Sequence, residues 1–290
     1  MSQDQTTQFN DLTYAIRLWG EPSNPSILMT HGWLDNVASF DAIASILSEH
    51  YFLIAVDLPG HGLTDHLPAG VNYHFLEMVM DLAGLCQHLE AELECLPIRR
   101  LLGHSMGGSL FTLLASIQPE RFDYCMTLES LGPTTLSDDS DVVNTLAKAA
   151  EAKYFRESRE PVVYPDIAAA VKARRLGGFA MTEAAATRIC ERNLKPVTGG
   201  WVWSTDARLR RPSMIRLTSR QVLAFLKALS CPLLVIETED GWLKHMTDLP
   251  DRLAAVKRLH YHKLPGGHHA HMEAPAALFA EKIQTFLSSA

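Results

Sequence analysis

The chain has 290 residues, of which 47% are apolar, 20% charged and 8% aromatic, a composition typical of a globular enzyme. A chain of this length can bury a large core, which excludes a small scaffold held together by disulfides or metals. The 26 Lys and Arg against 33 Asp and Glu give a formal net charge of −7, which argues against nucleic acid as a partner.

The five cysteines are scattered and odd in number, which argues against a disulfide framework and a zinc site. The first residues are polar and lack the basic start and apolar run of a signal peptide. No apolar run approaches the ~18 residues that would span a bilayer. We therefore expect a cytoplasmic protein without membrane insertion, and whether it forms a homodimer stays open.

Short apolar runs alternate with helical patterns, which is typical of an α/β fold with a largely parallel sheet. The predicted strands are Ser26 to Thr30, Tyr51 to Asp57, Ile98 to Gly103, Asp123 to Glu129, Pro232 to Glu237 and His260 to Leu264. The predicted helices are Val37 to Ser48, His74 to Leu93, Ser105 to Gln118 and Pro275 to Leu287. Ligands should bind where the carboxyl ends of the strands meet.

Beyond the fourth predicted strand the pattern changes. A helical, alanine-rich stretch covers about residues 141–193, and an aromatic and basic segment covers residues 201–220. Strand and helix signals then resume, so the change interrupts one domain. We interpret residues 134–216 as a helical cap inserted into an α/β core of residues 1–133 and 217–290.

The run Gly103-His104-Ser105-Met106-Gly107 matches G-x-S-x-G. It joins an apolar strand to an apolar helix, the context in which a strained turn exposes a nucleophilic serine. The glycines would let strand and helix approach closely, and the helix N-terminus favours developing negative charge. The alternative is a glycine-rich helix N-cap at Ser105.

A serine hydroxyl needs a base to remove its proton. His268, His269 and His271 follow the last predicted strand, and the histidine after the two glycines has the backbone freedom to project towards Ser105. A metal site on these three histidines is the alternative, weakened because no carboxylate or cysteine joins them at ligand spacing.

His31-Gly32-Trp33 follows the first predicted strand. A backbone N–H there could complete an oxyanion hole with that of Met106, and the alternative is a turn with a buried tryptophan. The turn-rich loop that begins at Asp57 and contains His61 is interpreted as structural. The substrate-binding candidates are His31, Gly32, His104 and Trp201.

Residues 172–220 contain eleven basic side chains against three acidic ones. A positive cap over a serine could recognise an acidic acyl substrate, one with a carboxylate or a coenzyme A moiety. The alternative is a solvated face that pairs with acidic patches on the core. Trp201 and Trp203 could line a pocket, or pack in a core.

Taken in chain order, HGW, DLPGHG, GHSMGG, GP and PGGHHAHMEAP resemble the α/β-hydrolase superfamily, over nearly the whole chain outside the insertion. HGWLDN, with WSTDARLRRPS and RLT, more narrowly resembles its serine-hydrolase-like members. The resemblance implies an α/β-hydrolase fold with an eight-stranded sheet, Ser105 as nucleophile, His268 as base, and the N–H groups of Trp33 and Met106 as the oxyanion hole. Dehalogenases and epoxide hydrolases of this fold carry Asp where this chain has Ser105, which argues against both activities.

Two residues compete as the acid of the triad. Asp240 follows the strand that begins at Pro232, the usual region for the acid in this superfamily, although the common position falls on Gly241. Glu129 ends the strand after the elbow, where the haloalkane dehalogenase-like branch places its acid. We favour Glu129 slightly, because it follows its strand directly.

The sequence thus predicts a serine hydrolase that cleaves an ester, thioester or amide of a small-molecule acyl substrate through an acyl-enzyme, with no metal or organic cofactor. Acyl transfer or cofactor-free perhydrolysis on the same triad is one alternative. A hydrolase-fold protein that binds a ligand without turnover is another, and the nucleophile, base and elbow glycines count against it.

Overall fold

A sheet of eight strands organises the protein in the order β1-β2-β4-β3-β5-β6-β9-β10. The structure is a computed structural model and describes residues 2–136, 141–154 and 160–289. The strands are β1 (Gln3–Phe9), β2 (Leu12–Trp19), β3 (Ser26–Thr30), β4 (Phe52–Val56), β5 (Arg100–His104), β6 (Tyr124–Leu128), β7 (Leu194–Val197), β8 (Gly200–Trp203), β9 (Leu233–Asp240) and β10 (Leu259–Gly267). The helices are α1 (Asp41–Leu47), α2 (Phe75–Glu92), α3 (Met106–Ile117), α4 (Asp141–Tyr154), α5 (Ile167–Leu176), α6 (Glu183–Asn193), α7 (Ser219–Ala228), α8 (Leu249–Ala255) and α9 (Ala276–Ser288).

The sheet is mostly parallel, as predicted. Strands β3 to β6, β9 and β10 pair in parallel, whereas β1 and β2 pair antiparallel and β2 runs antiparallel to β4. Every residue of β3 and β4 is buried, because helices cover both faces of a parallel sheet and its strands are therefore continuous apolar runs. The predicted α/β-hydrolase fold, with its eight-stranded sheet, is confirmed.

Two apolar layers hold the helices against the sheet. One contains α2, α3, α7 and α8 with one face of the strands, and the other contains α1 and α9 with the opposite face. The predicted helix from Val37 to Ser48 begins as a 3₁₀ turn, Val37–Phe40, before α1. The β1–β2 hairpin turns at Asn10 and Asp11, whose φ angles are 49° and 59°, values that Asn and Asp tolerate in such tight turns.

In its described residues, the segment between β6 and α7 contains three separate helices, α4 to α6, and the hairpin β7–β8. The long helical stretch expected over residues 141–193 is therefore interrupted. Between the helices lie the helix-breaking residues Pro161, Pro165, Gly177 and Gly178. Residues 137–140 and 155–159 of the predicted cap lie outside the described residues. The cap boundaries at 134 and 216 remain a prediction.

The segment between β6 and α7, called the inserted segment below, has a small apolar core in its described residues. Val171, Met181 and Ile189 are buried together there, and Met272, which follows β10, packs among them. No helix in the described ranges is both long and apolar enough to cross a membrane.

Candidate active site

Ser105 lies at the sharp turn between β5 and α3. Its backbone has a φ of 50° and a ψ of −113°, a conformation that a residue with a side chain adopts only under strain. The Ser105 N–H donates to the Leu128 carbonyl over 2.9 Å, which holds the turn against β6. A Cβ at Gly107 would overlap the Thr30 carbonyl oxygen, so only glycine lets α3 come this close to β3.

Trp33 and Met106 both line the cavity that Ser105 lines. Met106 is the first residue of α3, where backbone N–H groups have no partner within the helix. Across the described ranges, neither its N–H nor that of Trp33 donates to another residue. Both predicted donor residues thus line the cavity of the serine, and the positive N-terminus of α3 lies next to Ser105.

His268 lies just beyond β10 and is buried. Its Nδ1 is 3.3 Å from Glu129 Oε2, and the Phe179 ring of the inserted segment lies 4.3 Å from the imidazole, between centroids. Burial lowers the pKa of His268, although Glu129 acts to raise it. With Nδ1 facing a carboxylate, Nε2 is the nitrogen left to accept a proton. His268 and Ser105 line one cavity of about 410 Å³.

Glu129 follows β6 with a φ of 54° and is buried. Its Oε1 accepts a hydrogen bond from the Thr238 N–H at 2.5 Å, and its Oε2 accepts from the N–H groups of Trp242 and Leu243. Burial acts to raise the pKa of Glu129, but the hydrogen bonds from His268 and Thr238 outweigh it and lower that pKa. The carboxylate is therefore held ionised and fixed in direction.

Gly241 explains how this carboxylate fits. A Cβ at Gly241 would overlap Glu129 Oε2, so the position at which the resemblance places the usual acid is occupied by a carboxylate from the neighbouring strand. Asp240, the competing candidate, has a side chain that is 76% exposed and lies 3.0 Å from Lys244 Nζ. The structure brings Glu129, and not Asp240, to His268.

A buried carboxylate that the sequence reasoning missed links the loops around Ser105. Asp35 is 2% exposed in its side chain, with Oδ1 at 2.7 Å from Arg174 Nη2 of α5. Its Oδ2 lies 3.6 Å from His104 Nδ1 and 3.5 Å from His269 Nε2. Burial acts to raise the pKa of Asp35, but His269, Arg174 and His104 hold it well below its usual range. Asp35 belongs to the HGWLDN motif, and this membership was the signal in the sequence that could have identified it.

The histidines around this carboxylate bear on the metal hypothesis. His104, His268 and His269 offer nitrogen atoms that all lie within 4.8 Å of one another, and within the described residues they form the group able to hold a metal ion. His104 Nε2 lies 2.9 Å from the His268 carbonyl oxygen, so that nitrogen of His104 has a hydrogen-bond partner within the protein. His271 is not part of this group but is buried beside it, with its ring centroid 4.2 Å from that of His104. Burial lowers the pKa of His271 to about 3.

The four substrate-binding candidates differ in position. Gly32 lines the 410 Å³ cavity. His31 is buried, with Nδ1 near its neighbour's carbonyl and Nε2 accepting from the Leu58 N–H at 3.0 Å. His104 is also buried, and Trp201 pairs its backbone with Tyr164. His31, His104 and Trp201 therefore do not line either cavity beside Ser105. The two histidines are buried, and Trp201 packs against the apolar core of the inserted segment.

A larger cavity of about 670 Å³ opens beside Ser105, a size within the range of small-molecule sites. Its apolar wall includes Phe75, Leu217, Trp242 and Met246. Trp33, the exposed tryptophan of the predicted oxyanion loop, lines both this cavity and the smaller one. An apolar substrate portion can therefore lie next to the serine hydroxyl.

Several basic residues of the inserted segment pair with acids of the core. Arg192 of α6 donates from Nε to Asp57 Oδ2 at 2.9 Å and from Nη1 to Asp4 Oδ2 at 3.0 Å, and Asp57 also accepts from the Val37 N–H at 2.8 Å. Together with the Arg174 contact, these pairs match the alternative in which basic residues meet acidic patches on the core.

This architecture is that of an α/β hydrolase, and the chain belongs to the alpha/beta hydrolase fold family, whose model matches residues 25–275. A serine hydrolase-like protein of Dictyostelium discoideum is 28% identical over 94% of this chain and 78% of its own length. Serine hydrolase-like protein 2 of Homo sapiens is 25% identical, over 94% and 90% of the two chains.

Solved structures agree with these relatives. A hypothetical protein of Pseudomonas aeruginosa PAO1 is 32% identical with a TM-score of 0.91, covering 98% of this chain and 99% of its own. A thioesterase domain from the curacin biosynthetic pathway is 26% identical with a TM-score of 0.85, over 98% and 99% of the two chains. The family and these relatives support a hydrolase.

Proposed function

We propose that the protein is a serine hydrolase that cleaves an ester, thioester or amide of a small-molecule acyl substrate through an acyl-enzyme. The observation that carries the proposal is the buried contact between His268 Nδ1 and Glu129 Oε2, set beside a cavity that His268 and the strained Ser105 line together. A binding protein has no use for a strained serine next to a histidine held by a carboxylate.

In the proposed reaction, His268 Nε2 takes the Ser105 Oγ proton as Oγ attacks the acyl carbonyl carbon. The carbonyl oxygen becomes an oxyanion, which the N–H groups of Trp33 and Met106 stabilise. Glu129 stabilises the imidazolium. The tetrahedral intermediate collapses, His268 protonates the leaving group, and water then attacks the acyl-enzyme by the same route to release the acid.

The curacin thioesterase domain, at 26% identity, supports thioesters within the substrate class. The inserted segment contributes lining residues to both cavities and places the Phe179 ring against His268. In this proposal it serves as a cap that shapes the substrate site. The apolar wall of the 670 Å³ cavity suits an acyl chain.

A fluorophosphonate probe tests the nucleophile. Ser105 should carry the adduct in peptide mass mapping, and Ser105→Ala should abolish labelling. Ser109→Ala is the matched control and should still label, because Ser109 lines the same cavity but lies within α3, beyond the strained turn at Ser105. A panel of p-nitrophenyl esters of increasing acyl length then defines the chain preferred. Labelling that persists in Ser105→Ala would contradict the proposal.

Alanine variants of three histidines separate base from metal ligand. His268→Ala should lose several orders of magnitude in kcat, with much smaller losses for His269→Ala and His271→Ala. Comparable losses at His268 and His269, together with inhibition by a chelator, would favour the metal site instead.

A further inference from the structure

Three arginines of the inserted segment line the 670 Å³ cavity that Ser105 lines: Arg210, Arg211 and Arg216. All three are exposed, and in the described part of the chain none has a carboxylate within 4.0 Å. Arg174 of the same segment lines the smaller cavity with Ser105 and His268, but its guanidinium pairs with Asp35.

Other arginines nearby have structural partners. Arg174 pairs with Asp35, Arg175 with Glu183, and Arg208 with an aspartate two residues before it. Arg208 also donates to three backbone carbonyls. Among the described residues, these arginines therefore have carboxylate partners, whereas the three arginines that line the larger cavity have none.

The backbone that carries Arg210 is firmly anchored next to the predicted oxyanion loop. Asp206 accepts from the Tyr73 hydroxyl at 2.7 Å and from the Arg208 N–H at 2.8 Å. The Trp33 indole donates to the Leu209 carbonyl at 3.0 Å. The Arg210 guanidinium carbon lies 5.9 Å from the centre of the Trp33 ring, a cation–π distance. A positive charge is thus positioned at the side of Trp33.

The charge around the cavity is unbalanced. Among its described lining residues, the one carboxylate is Glu129, whose oxygens already accept from His268 and from three backbone N–H groups. Three guanidinium groups above a partly apolar cavity attract anions, because the low-dielectric walls concentrate their field. Guanidinium also matches carboxylate and phosphate in geometry.

We propose that Arg210, Arg211 and Arg216 form an anion subsite, and that the substrate carries a carboxylate or phosphate group separated from the scissile carbonyl by an apolar portion. This inference rests on the proposed function and narrows its substrate class. The anion belongs to the acyl part or to the leaving group, as in a coenzyme A thioester.

Matched substrates test the subsite and identify the source of the anion. The p-nitrophenyl monoester of glutaric acid, with a free carboxylate, is compared with its methyl ester for an acyl-part anion. Butyryl-coenzyme A is compared with the neutral butyryl thioester of N-acetylcysteamine for a leaving-group anion. Each is measured as kcat/KM at low and high salt in wild type, Arg210→Gln, Arg211→Gln, Arg216→Gln and the triple variant.

Wild type should prefer the anionic member of at least one pair. Each single variant should reduce that preference about two- to fivefold, as expected for exposed charge pairs, and the triple variant on the order of tenfold or more. High salt should weaken the wild-type preference. Arg220→Gln is the control, because Arg220 is exposed on α7 and does not line the cavity, and it should leave the preference unchanged.

The outcomes are distinguishable from those for the proposed function. Hydrolysis of both members of each pair, with a ratio that the folded triple variant does not change, would overturn the subsite and leave the serine hydrolase intact. Absence of Ser105-dependent turnover of every substrate would overturn both.

Discussion

The sharpest prediction concerns the acid of the triad, tested by Glu129→Gln against Asp240→Asn. The two substitutions are chemically matched, since each replaces a carboxylate by its amide. In the structure Glu129 contacts His268 at 3.3 Å, whereas Asp240 contacts Lys244 at the surface. We therefore expect a large loss of kcat for Glu129→Gln and near wild-type kcat for Asp240→Asn.

The magnitude follows from the hydrogen bonds that the amide introduced by Glu129→Gln could make. If its oxygen takes the Oε2 position, its NH₂ confronts the Thr238 N–H; in the other orientation its NH₂ confronts His268 Nδ1 and the Trp242 N–H. At least one buried donor loses its acceptor, which costs about 1–3 kcal/mol of stability. Either orientation removes the charge that stabilises the imidazolium, and the second also favours the tautomer with the proton on Nε2. By analogy with the amide variant of another triad acid, kcat should fall on the order of 10⁴-fold.

The assay is steady-state hydrolysis of a p-nitrophenyl ester by both variants, with thermal unfolding to establish that each is folded. Asp240→Asn should unfold at nearly the wild-type temperature, because an exposed ion pair contributes about 0–1 kcal/mol. The reverse ranking of kcat, with both variants folded, would refute the assignment of Glu129 and transfer the role to Asp240.

Three further predictions use the same structure. Gly241→Ala should displace the Glu129 carboxylate, since the new Cβ overlaps Oε2. Because a displacement of about 1 Å in a catalytic group can cost about 100-fold in rate, kcat should fall at least about 100-fold. An unchanged kcat would contradict this prediction. The pH profile of kcat/KM should have the midpoint of its acid limb below pH 6.5. The neutral form of His268 is the base, and burial lowers the pKa of His268 from its ordinary value of 6.5. An acid limb with its midpoint above pH 6.5 would be inconsistent with this reasoning. In urea unfolding, Arg174→Gln should lower the free energy of unfolding by about 3 kcal/mol, since it leaves the buried Asp35 carboxylate without its guanidinium partner. Arg175→Gln loses an exposed pair and should lower it by under about 1 kcal/mol. Equal losses of stability in the two variants would argue against the buried pair.

The sequence by itself determined the central sheet and the elbow. Strands β3 to β6 lie within about two residues of their predicted bounds, because a parallel strand buried on both faces must be a short apolar run between polar or glycine residues. The elbow is equally local, since the strained conformation at Ser105 and the close approach at Gly107 require particular residues at consecutive positions. Met106 belongs to this same turn, whereas Trp33, the other predicted N–H donor, lies in the loop after β3.

The tertiary structure decided which distant residues meet. Glu129 and Asp240 lie at the ends of neighbouring strands, and the sequence left both as candidates for the acid of the triad. The structure favours Glu129, because the absent side chain of Gly241 leaves room for its carboxylate and the following loop supplies backbone N–H donors to it. The arginines of the inserted segment look alike in sequence, yet some lie against buried aspartates and others line the cavity. Such contacts join residues far apart in the chain, as at Glu129 and His268, which are separated by 139 positions. A local pattern of apolar and polar residues carries no information on those pairings, because they depend on how loops from separate strands pack at one edge of the sheet.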